Sequence, residues 1–260
     1  MSSAIYHVHS PEEQWSNMWA NCNLDREIAL CGKRELAAHV LPVLRTFDNP
    51  RIVEAGCGVG SWVLYLQQQG FNNIVGVDNY VPALKQLEAR GGRAMDGDIR
   101  NLPFDDNSVD VCLSLGVVEH FSEGPDALLR EMARILVPGG YMFVTVPYYN
   151  AVRRLVTHPL RSAYIWLKRM PRRFNEYRFS DREFSGLCRN AGFEVIRCTT
   201  DDYVQNNLSL GLHTDFPFLR SGTFGELNKL GATMCGTLRS LNPWLISGGV
   251  LVIARKPESK

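Results

Sequence analysis

Arg51-Ile52-Val53-Glu54-Ala55-Gly56-Cys57-Gly58-Val59-Gly60 is a short β-branched run that ends in an acid and then in glycines at alternate positions. Ser61 opens an apolar stretch at helical spacing, Trp62, Val63, Tyr65 and Leu66. The pattern predicts a strand, a tight glycine turn and a helix start. Glycine tolerates φ > 0 and, lacking a Cβ, lets a ligand press against the backbone. The turn also presents free N–H groups at a helix N-terminus, which favours a carboxylate or phosphate. The spacing is G-x-G-x-G. It is neither the dinucleotide G-x-G-x-x-G nor a triphosphate loop, which needs Lys followed by Ser or Thr.

Further strand ends follow. Asn73-Ile74-Val75-Gly76-Val77-Asp78 closes on an acid placed to accept hydrogen bonds from a ribose diol. Asp96-Gly97-Asp98-Ile99 gives a third strand end, and Asp110 to Gly116 reads as a fourth strand. Strands near 51–55, 73–78, 93–96, 109–115 and 141–147 are separated by helical patterns at 61–70, 80–90 and 125–136. Such alternation predicts a parallel sheet with helices on both faces. Ligands of these sheets bind beyond the carboxyl ends of the strands, where Glu54, Gly56, Asp78, Asp98, Leu115 and Gly116 would gather.

Glu54 to Gly60, Val77-Asp78, Gly97-Asp98-Ile99, Leu102 to Asp110, Val118-Glu119-His120-Phe121 and Leu136-Val137-Pro138-Gly139-Gly140 together resemble the class I S-adenosylmethionine-dependent methyltransferases. Within them the chain is similar to the small-molecule group that includes quinone-biosynthesis enzymes. The resemblance covers residues 50–147, with weaker support to 198. It implies an α/β fold, a Rossmann-like doubly wound seven-stranded sheet whose last strand, Gly249–Arg255, is antiparallel. Residues 1–48 would form an N-terminal helical cap. Residues 49–260 would form the methyltransferase domain, with a lid insertion at 148–180 and a second insertion at 199–247.

The resemblance also implies site roles. The backbone around Gly56, Cys57, Gly58 and Gly60 would take the methionine end of S-adenosylmethionine, with Glu54 orienting that loop. Asp78, with Asn79 beside it, would take the ribose, Asp98 and Ile99 the adenine, and Leu115 and Gly116 would complete the rim. Where base- and amide-modifying relatives carry Asn/Asp-Pro-Pro-Tyr, this chain has Leu115-Gly116-Val117-Val118, which argues against that chemistry. A sulfonium methyl is already activated, so alignment and exclusion of water supply most of the rate and no metal is required. A hydroxyl acceptor would benefit from a base. His120 is the best placed, although a structural or pocket-lining role is open to it. Tyr148 is a second catalytic candidate, and Tyr149, His213 and Trp19 are candidate acceptor contacts.

Residues 11–22 start with Pro11-Glu12-Glu13 and predict a helix carrying Trp15, Met18 and Trp19. The tryptophans either close over the ligand or pin the helix to the core. One helix is expected over 25–45, with Pro42 kinking or shortening it. Ser180 and Glu183 form a capping box that opens a helix ending near Asn190.

The net charge of +1 hides an asymmetry. Residues 153–173 hold seven bases and no acid, leaving 21 bases against 27 acids elsewhere. A basic helix with aromatics can lie on an anionic membrane, grip an anionic substrate, or be a solvated lid. The acidic body argues against nucleic acid as partner. The seven scattered cysteines suit reduced thiols in a cytoplasmic protein. Met1 to Gln14 shows no signal-peptide pattern, and nothing approaches about 20 consecutive apolar residues.

The sequence therefore predicts methyl transfer to O, N or C of a small molecule, apolar or anionic. A protein or nucleic-acid methyltransferase using 153–173 is one alternative, and a catalytically silent binding protein on the same fold is another. The oligomeric state is not readable.

Overall fold

The computed structural model describes residues 3–7, 18–19, 22–170 and 173–258. The elements in chain order begin with β1 (Ser3–His7), α1 (Leu24–Cys31), α2 (Glu35–Leu44), β2 (Ile52–Ala55), α3 (Ser61–Gln68) and β3 (Ile74–Asp78). Next come α4 (Val81–Ala89), β4 (Ala94–Asp96), β5 (Val109–Leu115), α5 (Asp126–Ile135), β6 (Leu136–Pro147) and α6 (His158–Leu167). The chain closes with β7 (Arg173–Arg178), α7 (Asp181–Asn190), β8 (Glu194–Asp201), α8 (Leu210–Asp215), α9 (Lys229–Leu241) and β9 (Gly249–Arg255).

Seven strands form one sheet in the order β4-β3-β2-β5-β6-β9-β8. β9 runs antiparallel to both its neighbours, β6 and β8, and the remaining pairs are parallel. This is the Rossmann-like arrangement expected. The pleat sends successive side chains to opposite faces, and two cores result. Ile52, Val111 and Phe143 face α2, α3 and α4 on one side, with Leu36, Leu66 and Leu87. Val53, Cys112 and Met142 face α5 and α7 on the other, with Leu128, Met132 and Phe184. Burial on both faces is why the strands read as continuous apolar runs.

The single helix expected over 25–45 is two helices. α1 starts after Asn23, whose side chain accepts from the Arg26 N–H at 3.1 Å, and stops at Gly32. Pro42 lies inside α2 without ending it. The break falls instead at Arg34, whose extended backbone bridges to Tyr203 and whose guanidinium pairs with Asp201. A contact to the far end of the chain overrides local helix propensity. β6 also starts earlier than expected, because Leu136 already pairs with Val109.

The expected helix over 11–22, with Trp15, lies outside the described residues apart from Met18, Trp19 and Cys22. Towards the N-terminus the described element is a strand: β1 pairs antiparallel with β7 in the 148–180 segment. The root of that segment is held by Arg153, which sequence composition placed in a basic, solvent-facing run. It is 3 % exposed. Its Nε donates to both oxygens of Asp215 at 2.9 and 3.0 Å, and its Nη1 donates to the Tyr148 and Gly248 carbonyls at 2.7 and 2.9 Å. One side chain thus joins the segment after β6, the end of α8 and the start of β9. Among the described residues no helix is long and apolar enough to cross a membrane.

Candidate active site

The glycine turn and Asp78 meet. Gly56, Gly58 and Gly60 all have positive φ, the left-handed region that glycine enters freely. At Gly58 the space is closed as well, since a Cβ would come within 2.6 Å of the Trp19 indole. The Gly58 N–H donates to Asp78 Oδ2 at 2.8 Å, and the Tyr80 N–H donates to Oδ1 at 2.9 Å. The Asp78 carboxylate therefore ties the end of β3 to the turn after β2. Each oxygen keeps a further acceptor site that can take a hydroxyl.

Glu54 lies buried one residue before the end of β2 and accepts the Val63 N–H of α3 at 3.2 Å. Burial pushes its carboxyl up to about 8, with the Val63 N–H opposing and the Asp78 charge adding to the rise. Asp98 is gripped by Arg100, whose Nε and Nη2 donate at 3.0 and 2.6 Å. This holds its carboxyl below the usual range. The same guanidinium sits 5.5 Å over the Phe121 ring.

A cavity of about 640 Å³ opens at this rim. Glu54, Gly56, Cys57, Asp78, Asn79, Asp98, Ile99, Leu115 and Gly116 line it, as do Trp19 and His120. Gly58 and Gly60 shape the turn without forming the cavity wall. The three remaining candidates are not in the lining. Tyr148 packs against Trp244 with centroids 4.9 Å apart. Tyr149 stacks on His158 at 5.1 Å. His213 is buried edge-on to Phe224 at 5.0 Å, and it is Phe224 that reaches the cavity.

The far wall is polar. His120 is mostly buried, and its Nδ1 lies 2.7 Å from the Asn175 carbonyl. That oxygen can only accept, so Nδ1 carries the proton and Nε2 bears the lone pair. Burial lowers the His120 pKa and keeps the ring neutral near pH 7. Glu119 Oε1 lies 3.8 Å from that Nε2, and burial raises the Glu119 carboxyl well above its ordinary value. Glu119 Oε2, Arg34 Nε and Asp201 Oδ1 are buried polar atoms without a hydrogen-bond partner among the described residues. Their residues all line the cavity. An unpaired buried polar atom costs about 1–3 kcal/mol, so a ligand that pairs with them gains that amount. Arg153, Arg161 and Arg178 also line the cavity, and Glu176 lies beside them. Arg178 is bound to Glu176 at 2.7 Å and to His158 Nε2 at 2.9 Å.

Glu119 stood in the quoted Val118-Glu119-His120-Phe121 motif, so a signal for it existed. Arg34, Asp201 and Tyr203 carry no local signal. They become a unit only when the turn after α1 meets the end of β8.

The donor set fits an adenosyl amino acid. A glycine turn lies beside a buried acid that would suit an ammonium group, and a strand-end carboxylate keeps spare acceptor sites that would suit a diol. Residues 53–144 match the family model for the methyltransferase domain. Residues 53–144 are thus a methyltransferase domain by that match, and the sheet topology is the one seen in class I S-adenosylmethionine-dependent methyltransferases. A Homo sapiens protein named "Probable tRNA methyltransferase 9B" is 39 % identical over 97 residues, 36 % of this chain and 21 % of that protein. The chain thus spans about a fifth of that relative's length. Demethylmenaquinone methyltransferase of Staphylococcus epidermidis is 27 % identical over 186 residues, 61 % of this chain and 73 % of that enzyme. Among solved structures, a chain from the complex of the Haloferax volcanii Trm112 methyltransferase activator with a methyltransferase superposes with a TM-score of 0.64. It is 21 % identical, and the match covers 96 % of this chain and 99 % of that one, a likeness of fold.

Proposed function

We propose that this chain transfers a methyl group from S-adenosylmethionine to a small polar acceptor bearing an anionic group. One observation carries the reading: a single cavity joins the cofactor rim at Glu54, Gly56 and Asp78 to a wall holding Arg34, Arg153, Arg161 and Arg178. The cofactor supplies a methyl already activated on sulfur, leaving the protein to align the acceptor and exclude water. Asp78 holds the ribose hydroxyls, Glu54 faces the ammonium group, and Trp19 covers the turn at Gly58. His120 Nε2 takes the proton of the attacking group, and the Asn175 carbonyl fixes its tautomer. Arg161 makes no ion pair among the described residues and is free to receive the acceptor's anion.

The test is a panel of small hydroxy and amino acids and sugar phosphates, each with its neutral ester, assayed with methyl-labelled cofactor. Label should enter the anions, and Arg161→Gln should raise KM about tenfold or more with kcat held, the worth of one charge-assisted hydrogen bond. Equal turnover of the neutral esters would overturn the acceptor class.

A second reading, a nucleoside within tRNA, draws support from the relatives named for tRNA methylation. It predicts label in tRNA and binding that falls steeply with salt.

A further inference from the structure

Helix α6 buries one side chain, Ile165. At about 100° per residue, Leu160, Ala163, Tyr164, Trp166 and Leu167 fall on one arc opposite Ile165. That arc faces outward: Leu160 is 67 % exposed, Trp166 78 % and Leu167 72 %. Leu155, in the turn before the helix, is 72 % exposed and extends the patch. A surface helix of a globular protein ordinarily turns its apolar stripe to the core. This one is inverted.

Cations flank the patch. Arg154, Lys168 and Arg169 are all exposed, and the chain has no acid between Glu131 and Glu176. Arg153 and Arg161, from the same segment, line the cavity, so the patch lies on an element that also forms part of the cavity wall. An apolar arc bordered by uncompensated positive charge complements one kind of surface: acyl chains beneath anionic headgroups. A polynucleotide would use the cations and leave the leucines and Trp166 in water.

We propose that the exposed face of α6, with the turn before it, docks on an anionic lipid surface. Leu155, Leu160, Trp166 and Leu167 enter the boundary between headgroups and acyl chains, the depth reached by interfacial amphipathic helices. Arg154, Lys168 and Arg169 meet the headgroup phosphates, and the Trp166 indole lies at the level where aromatic belts form. Docking needs neither cofactor nor acceptor, so its failure and the failure of the methyl-transfer reading are distinguishable.

The experiment is co-sedimentation of the full chain with vesicles of phosphatidylcholine alone and of phosphatidylcholine mixed with phosphatidylglycerol. Binding should appear with the anionic vesicles at low salt and weaken as salt screens the charges. Trp166 emission should shift to the blue with those vesicles, and the shift should vanish in Trp166→Phe. Lys168→Gln/Arg169→Gln should reduce partitioning roughly 25-fold, about fivefold per charge. Leu160→Ser/Trp166→Ser should abolish it. Both pairs are exposed, so melting temperature should hold; should the serine pair melt early, the glutamine pair decides. No binding of the wild type to anionic vesicles, or binding unchanged in the variants, overturns the proposal. So does either rival occupant: binding to polyuridylate but not to vesicles, or a dimer that the serine pair dissociates.

Discussion

Glu54→Gln probes a buried acid at the rim of the site. The carboxyl is 3 % exposed at the end of β2, and burial pushes it up to about 8 against an ordinary 4.5. The folded chain therefore keeps a proton that the unfolded chain releases between those values. Stability from this group is fully present below about pH 4.5 and is lost as pH rises towards 8. At about 1.36 kcal/mol per pH unit, roughly 3 kcal/mol is gone by pH 7, and about 5 kcal/mol is the upper limit above pH 9. Glutamine keeps the shape and still accepts the Val63 N–H, yet it does not titrate. The stability of Glu54→Gln relative to wild type should thus rise by about 4 kcal/mol between pH 5 and pH 8.5. Urea unfolding followed by circular dichroism at the two pH values reads this directly. The variant should also bind cofactor about tenfold more weakly or worse, since a neutral amide replaces the partner of an ammonium group. A stability difference that does not change with pH would refute the reasoning.

The other predictions concern the insertions and the proton acceptor. Arg153→Met should cost about 3–5 kcal/mol, because it strands the buried Asp215 carboxylate without a counter-charge. An unchanged denaturation midpoint would mean that residues 148–180 and α8 are held together otherwise. His120→Asn should lower kcat by about 10²–10⁴ with a hydroxyl acceptor. In the wild type, the rate should fall on acidification through a pKa below 6.5, since burial depresses that of His120. This acid limb should vanish in the variant, and a pH–rate profile that survives the substitution would remove His120 as base.

Much of the fold was legible because its determinants are local. The glycine turn, the acids closing β3 and β4 and the β-branched strands each declare themselves within ten residues. Periodicity could not reveal contacts that join distant segments. Arg34 reads as an ordinary helix residue until Asp201, 167 positions away, draws it out of the helix. Arg153 reads as one of seven surface bases until Asp215 and two carbonyls bury it. β1 gave no signal because its partner, β7, lies far along the chain. Tyr148 and Tyr149 illustrate the opposite error. Their place just past a strand end suggested an acceptor contact, but neighbouring rings, Trp244 and His158, take up those side chains. The rim at Glu54, Gly56 and Asp78 was written in motifs; the wall with Arg34 and Asp201 is assembled by tertiary contact.

The central claim is that the Gly56–Gly60 turn and the carboxylate of Asp78 form one site for an adenosyl amino acid. Calorimetric titration with S-adenosylhomocysteine tests it most directly. The wild type should bind one equivalent, and Asp78→Ala, shown by circular dichroism to be folded, should lose about 100-fold or more in affinity, the worth of two hydrogen bonds to a charged acceptor. No heat from the wild type, or equal affinity in the two proteins, would contradict the account.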